Sequence, residues 1–180
     1  MRDIVDIIML RRSIRQYTDQ EVPDALLKRL LEAAMAAPSA ANGKPWEFIL
    51  VTDPDVVAEL RAGMPGNYNG KAAIVVCANL AIAGHPASQN YWQIDCAAAT
   101  ENILIAATGL GLGTVWQGMQ SPDRLALLRS VLRIPESVTP VSFIWVGYGA
   151  EVKEARTQYE ESRVHRQRYY AKIETEDTLA

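Results

Sequence analysis

The sequence predicts a layered domain in which helices alternate with strands, and three observations carry that prediction. Apolar residues recur at helical spacing in some segments and form short β-branched runs in others. Between Ala72 and Pro122 the only charged residues are Asp95 and Glu101, which marks this stretch as the buried heart of the fold. By contrast, 13 of the last 30 residues are charged, with both signs present. Residues 151–180 therefore cannot bury themselves as an independent core, and read as an arm laid across something else or as disorder. A length of 180 residues fits one domain, against a prior of about 150 residues per domain.

The elements follow in order. Ile4, Val5, Ile7 and Ile8 suit a short first helix ending near the basic run that starts at Arg11. Pro23 can open a second helix, with Leu26, Leu27, Leu30, Leu31 and Ala34 on one apolar face. Pro38 stops it, because the residue before a proline resists helical geometry. Trp46 to Thr52 reads as a strand, and Asp53-Pro54 as an N-cap with a first-turn proline for another helix. Ala73 to Ala78 is a buried strand by its Ile-Val-Val content. Asp95 to Thr108 is an alanine-rich helix, with Ala98, Asn102, Ile105 and Gly109 at helical spacing. Its small residues let another helix approach closely. Gly113 to Trp116 is a short strand, Ser121-Pro122 caps a helix to Val131, and Val141 to Val146 is a last strand.

Composition removes several function classes. Hydrophobic residues make up 49% and charged residues 22%, which argues against a disordered chain. A chain of this length buries roughly 70% of its unfolded surface and needs no disulfide or metal staple. The net charge of -3 disfavours a nucleic-acid binder. Cys77 and Cys96 lie in apolar stretches without C-x-x-C spacing, and read as buried thiols of a reducing compartment rather than a disulfide. With only His85 and His165, a zinc site or a histidine-based triad has little material. The first residues carry acids where a signal peptide wants lysine, and no window reaches the ~20 apolar residues of a membrane span. The expectation is a soluble, cytoplasmic protein.

Three segments could carry chemistry. Arg11-Arg12-Ser13-Ile14-Arg15 puts three guanidinium groups and a hydroxyl just past a helix, a pattern that suits a phosphate. The same arginines could instead stay solvated and complement the helix dipole. Pro38-Ser39-Ala40-Ala41-Asn42-Gly43-Lys44-Pro45-Trp46 is a small-residue loop fenced by prolines. Ser39, Asn42 and the loop backbone could bond a planar heterocycle, or Asn42-Gly43 could be an ordinary turn. Gly109-Leu110-Gly111-Leu112-Gly113 closes a helix and opens a strand, the reverse of a dinucleotide-binding fingerprint. Gly109 reads as a helix C-cap. Gln117 and Gly118 then fall at a strand end, where backbone amides can face a ligand. The adjacent Glu160 and Glu161 do not converge as a catalytic pair and read as solvated surface.

Together these segments resemble the FMN-dependent nitroreductase family in its short form. The resemblance runs from Ile7 to about His165 and rests on R-R-S-I-R-Q-Y at Arg11 to Tyr17 and A-P-S-A-A-N-G-K-P-W at Ala37 to Trp46. It continues through G-L-G-L-G-T-V-W at Gly109 to Trp116, F-I-W-V-G-Y-G at Phe143 to Gly149, and R-T-Q-Y-E-E-S-R-V-H at Arg156 to His165. It implies an α/β (α+β) fold, a three-layer αβα sandwich around a central mixed sheet, with residues 151–180 as an arm over a dimer partner. By the same resemblance Arg11, Arg12, Ser13 and Arg15 hold the phosphate, ribityl chain and pyrimidine edge of FMN. Pro38, Ser39, Ala40 and Asn42 come from the other subunit to line the flavin. Backbone amides around Gln117 and Gly118 approach the flavin N5 edge, and Arg156 returns from the tail to the phosphate. Members of this type often carry a second basic residue two positions after Arg156; here that position is Gln158, which leaves Arg11 and Arg15 a larger share.

The implied function is an FMN-dependent oxidoreductase. It takes hydride from NADH or NADPH and reduces small electrophilic acceptors, nitroaromatic or quinone in type, by a ping-pong sequence. No side chain is assigned as acid, base or nucleophile, because the cofactor carries the chemistry. The alternatives are a flavin carrier or sensor without turnover, and a relative acting as dehalogenase or enal reductase.

Overall fold

The buried apolar run expected at the middle of the sequence becomes the central strand. The computed structural model describes residues 3–170. Strand β2 (Ala72–Asn79) is buried at every position but its last. Its side chains alternate between two apolar layers. Ala72, Ile74, Val76 and Ala78 enter one, while Ala73, Val75 and Cys77 enter the other. Burial on both faces removes the need for polar alternation, which is why this strand reads as continuous apolar sequence.

Three further strands complete the sheet: β1 (Trp46–Val51), β3 (Gly113–Gly118) and β4 (Val138–Gly147). The order is β1-β2-β4-β3, and neighbouring strands are antiparallel. The expected mixed sheet is corrected here: every pairing of the four strands is antiparallel, and the parallel bridge of Ser13 to Thr114 lies outside the named strands. Helices α2 (Asp24–Met35) and α4 (Ser88–Gly109) cover one face. Helices α3 (Pro54–Gly63) and α5 (Pro122–Leu132) cover the other. The expected three-layer αβα sandwich is therefore the observed architecture. Leu27 and Leu30 of α2 are fully buried, and each such side chain contributes about 1.5–3 kcal/mol. Asn102 of α4 donates from Nδ2 to the Ala33 carbonyl at 2.9 Å, fixing the two helices together. Helix α1 (Ile4–Leu10) lies beside the end of α4, where Ile7 faces Gly109.

Three expectations are corrected at their edges. Helix α4 begins at Ser88 rather than Asp95, because its first turns are polar and aromatic and show no apolar period. Its C-cap is not Gly109. Leu110 holds that position, and Gly111 takes the left-handed conformation at φ 76°. Leu112 N–H donates to the Ala107 carbonyl at 2.8 Å and Gly111 N–H to Thr108 at 3.2 Å, the paired closure of a Schellman motif. Strand β4 starts at Val138 rather than Val141 and runs through Pro140 to Gly147. Val141 bulges out, since Val76 pairs with Ser142 and Cys77 with Pro140. Strand β3 ends opposite Ser142, so proline's missing N–H meets no neighbour on that side.

Among the described residues no helix is long and apolar enough to cross a membrane. The cysteines are free and buried, and burial pushes both thiols up to about 12. Of the expected arm, residues 171–180 lie outside the described residues. The preceding turn at Glu161–Arg163 leads to a stack of His165 on Tyr169, with ring centroids 4.4 Å apart.

Gly113 is a tight point between sheet and basic run, because a Cβ there would sit 2.8 Å from Ile14 Cγ2. Gly113→Ala should cost about 1–3 kcal/mol by overpacking. A chemical denaturation midpoint unchanged from wild type would contradict that reading.

Candidate functional site

The basic run leaves α1 as extended chain and lies along the edge of β3. Ile14 N–H donates to the Thr114 carbonyl at 2.8 Å, beside the Ser13–Thr114 bridge. On its other side the run meets the chain that follows β4, in antiparallel sense. Thr18 N–H donates to Tyr148 and Ala150 N–H to Gln16, both at 2.8 Å, and Arg156 N–H reaches the Met9 carbonyl at 3.2 Å. Residues 9–18 and 148–156 thus form a two-stranded ribbon against the sheet. Tyr17 pins it. Its ring packs on Gly147, its hydroxyl donates to the Ile14 carbonyl at 2.5 Å, and burial drives its pKa far above the usual phenol range.

This ribbon brings the backbone at Arg11, Arg12, Ser13 and Arg15 alongside the segment that carries Arg156, while their side chains take different partners. Arg11 Nε pairs with Glu101 on α4 at 3.4 Å, so its charge is already met within the chain. Arg12 donates to the Glu154 carbonyl. Arg15 lies 6.0 Å over the Tyr68 ring, a cation–π distance. Arg156 is exposed. Two residues that the sequence reading missed sit among them. Glu151 accepts from the backbone N–H of Arg15 at 2.6 Å and of Gln16 at 3.4 Å. The Arg15 bond holds its carboxyl below the usual range, against a smaller opposing effect of burial. Lys153 donates to the Ser13 carbonyl at 2.6 Å and lies 3.1 Å from Glu151. Their only sequence signal is the pattern Glu-Val-Lys just after a buried strand. A cleft of about 210 Å³ opens here, lined by Arg12, Lys153, Thr108 and the backbone of Gly111 and Gly113.

The end of β3 carries the next group. The Gln117 side chain is committed to the core: its amide nitrogen donates to the Pro65 carbonyl at 2.8 Å, and its oxygen accepts from Trp145 Nε1 at 3.1 Å. Thr114 turns its carbonyl outward to Ile14, and successive peptide groups of a strand alternate in direction. Gln117 therefore directs its own N–H toward β4, while Trp116 and Gly118 direct theirs to the free edge. Gly118 and Trp116 also line a cleft of about 400 Å³ against Gln93 and Ala97 of α4.

Pro38, Ser39, Ala40 and Asn42 are held elsewhere. Their loop precedes β1, at the opposite edge of the sheet and opposite end from the ribbon. Three interstrand spacings alone put them about 14 Å away. The loop is rigidly built. Ala41, Asn42 and Lys44 all have φ between 46° and 55°, and Ser39 Oγ accepts from Lys44 N–H at 3.0 Å. A Cβ on Gly43 would fall 2.1 Å from Ser88 Oγ, so only glycine fits. Asp95, buried in α4, accepts from Ala40 N–H at 3.0 Å, and its second oxygen is buried without a partner. One chain thus brings two of the three expected groups to one sheet edge and keeps the third apart. Among the described residues no His/Cys/Asp/Glu group could hold a metal ion.

Comparison with known proteins yields a consistent picture. The Nitroreductase family profile matches residues 8–64 and 64–148. A protein of Archaeoglobus fulgidus, provisionally named NADH dehydrogenase/NAD(P)H nitroreductase, is 39% identical over 94% of this chain and 100% of its own. The crystal structure of a protein with the same provisional name from Parabacteroides distasonis superposes with a TM-score of 0.84 at 34% identity, covering 94% of this chain and 100% of that one. A provisionally named nitroreductase from Desulfovibrio desulfuricans, solved in complex with FMN, gives a TM-score of 0.75 at 28% identity over 87% and 92%.

The Asp95 contact generates a testable expectation. Asp95→Ala leaves the Ala40 N–H without its acceptor and should cost about 1–3 kcal/mol. Calorimetric or urea unfolding of the variant measures this, and a loss under about 0.5 kcal/mol would show that the loop holds its shape without the carboxylate.

Proposed function

The chain belongs to the nitroreductase family, and from that premise we propose that it is an FMN-dependent, NAD(P)H-using oxidoreductase that acts as a homodimer. The observation that carries this reading is the ribbon. It draws Arg11, Arg12, Ser13, Arg15 and Arg156 to the sheet edge on which the free amides of β3 also open. The donor set fits the cofactor. Guanidinium groups match phosphate oxygens in pairs, a hydroxyl suits a polyol chain, and a strand-end amide suits a ring edge. Arg11, Arg12 and Arg156 would hold the phosphate, Ser13 the ribityl chain, and Arg15 would set a positive charge at the pyrimidine edge. Gly118, next to Gln117, supplies the amide for the N5 edge. Pro38, Ser39, Ala40 and Asn42 of a second copy close the site.

Bound FMN supplies hydride exchange between NADH or NADPH and an electrophilic acceptor, nitroaromatic or quinone in type, in a ping-pong sequence. The chain positions and charges the site. No side chain in it is needed as acid, base or nucleophile.

The dimer has its own support. Helix α1 buries no residue within the chain, and leaves Ile4, Val5 and Ile8 exposed at 59%, 54% and 47%. Ile94 of α4 is 65% exposed. Apolar side chains presented this way suit a subunit interface. The expected arm divides in this reading: the part from Glu151 to Arg156 completes its own ribbon, and residues 157–170 serve as the arm over the partner. Two free thiols fit a cytoplasmic setting.

Two experiments test the proposal. Purified protein should be yellow, bleach anaerobically with NADH or NADPH, and regain colour with a quinone or nitroaromatic. A yellow protein that does not bleach would instead be a flavin carrier or sensor. Ile8→Glu should convert dimer to monomer in sedimentation and release flavin. A dimeric, flavin-loaded variant would remove α1 from the interface.

A further inference from the structure

Arg15 is fixed at its base, and a neighbouring loop is built to meet its tip. Its backbone N–H donates to Glu151 at 2.6 Å. Its guanidinium reaches the Ser13 carbonyl at a long 3.5 Å, and lies 6.0 Å from the centre of the Tyr68 ring. The segment that carries Tyr68, between α3 and β2, is fastened along its length. The Pro65 carbonyl accepts from Gln117 Nε2 at 2.8 Å, and Tyr68 N–H donates to the Gly66 carbonyl at 2.7 Å. Asn69 brackets the Tyr17 backbone, accepting from its N–H and donating to its carbonyl, both at 2.8 Å. Gly66 has φ 84°, and a Cβ there would fall 2.5 Å from Tyr68 Cζ, so glycine lets the ring fold back over its own loop. The ring is half-buried against the apolar layer that α3 and α5 cover.

An aromatic ring held this way is a platform. Its π face attracts a cation, and a planar guanidinium can lie on it where a hydrated ammonium fits less well. The reading of the ribbon as a flavin site puts Arg15 at the pyrimidine edge, and the inference rests on that reading. The charge there matters most once hydride has moved. Oxidised FMN takes two electrons and one proton as hydride, NAD(P)H leaves as NAD(P)+, and the flavin gains one negative charge. A cation held at that edge favours the reduced form over the oxidised one. We propose that Tyr68 is a positioning residue for Arg15: its ring holds the guanidinium at the flavin edge and so sets how much more tightly the site binds reduced than oxidised FMN.

Tyr68 also fills space, so the test must separate its π face from its bulk. Full-length, FMN-loaded protein is prepared as wild type, Tyr68→Phe, Tyr68→Leu and a Tyr68→fluorophenylalanine series. Added ring fluorines keep the shape of the ring and weaken its π face stepwise, so the series decides the matter should Tyr68→Leu fail to fold. The midpoint potential of the bound flavin, titrated anaerobically against redox dyes, and the affinity for oxidised FMN, followed by flavin fluorescence, together give the ratio of reduced to oxidised affinity. Tyr68→Phe should match wild type. The ratio should fall about two- to fivefold in Tyr68→Leu, and stepwise as fluorines are added. In an Arg15→Gln background the same changes should shift the ratio no further. A ratio indifferent to ring fluorination would overturn the proposal. Equal losses of affinity for both flavin forms would overturn it too, leaving Tyr68 a support for its loop. An undiminished shift in the Arg15→Gln background would show that the ring acts without Arg15, which also overturns it. Wild type that binds no FMN would sink the flavin site itself, an outcome distinct from all of these.

Discussion

Because helices cover both faces of the sheet, the hydrogen-bonding groups of its strands can be met only in the plane of the sheet. In the interior that requirement is met by β2 and β4. At the β3 edge it is met by chain from outside the sheet. Ile14 takes the Thr114 carbonyl, and the ribbon of residues 9–18 and 148–156 is fastened to the sheet at that point. The position of every basic residue in the candidate site follows from that docking. So does the opening beyond it, where among the described residues Trp116 and Gly118 have no strand beside them. Small residues make the docking possible, since Gly113 and Gly147 give way to Ile14 and Tyr17.

The electrostatics divide along the same line. Arg11 is neutralised by α4 through Glu101 and is in part a structural cation. Lys153, Arg12 and Arg15 are held by carbonyls and by a carboxylate shared with backbone donors. The site is therefore pre-organised around positive charge before any ligand arrives, the arrangement that favours charge stabilisation without reorganisation. The loop from Pro38 to Lys44 is pre-organised too, but by different means. Its left-handed residues are over-determined by Asp95, by Ser39 and by the close fit of Gly43 on Ser88.

Much of this was legible in the sequence where the pattern is local. The apolar run of β2, the Asp53-Pro54 cap and the face of α2 are each written within a few consecutive residues. Asp53 accepts from Asp55 and Val56 as its position predicts. The start of β4 lies three residues before the expected Val141, across Pro140, because whether a strand tolerates a proline depends on what lies beside it, here the end of β3. Gly109 misled because two glycines stand close together, and only the backbone decides which one turns left-handed. Glu101, Glu151 and Lys153 were not legible as site residues, since each meets its partner across a long stretch of chain. The separation of the Pro38–Asn42 loop from the basic run was known only through resemblance, because spacing along the chain says nothing about which sheet edge a loop precedes.

The ribbon also has a consequence for how the molecule is made. Its contacts join positions 136, 140 and 142 residues apart, through Arg15 with Glu151, Ser13 with Lys153 and Arg12 with Glu154. Loops of that length close late, after local helices and neighbouring strands have formed. On a ribosome the basic run emerges more than 130 residues ahead of Glu151, Lys153 and Glu154, so these contacts form only after the intervening helices and strands have been made.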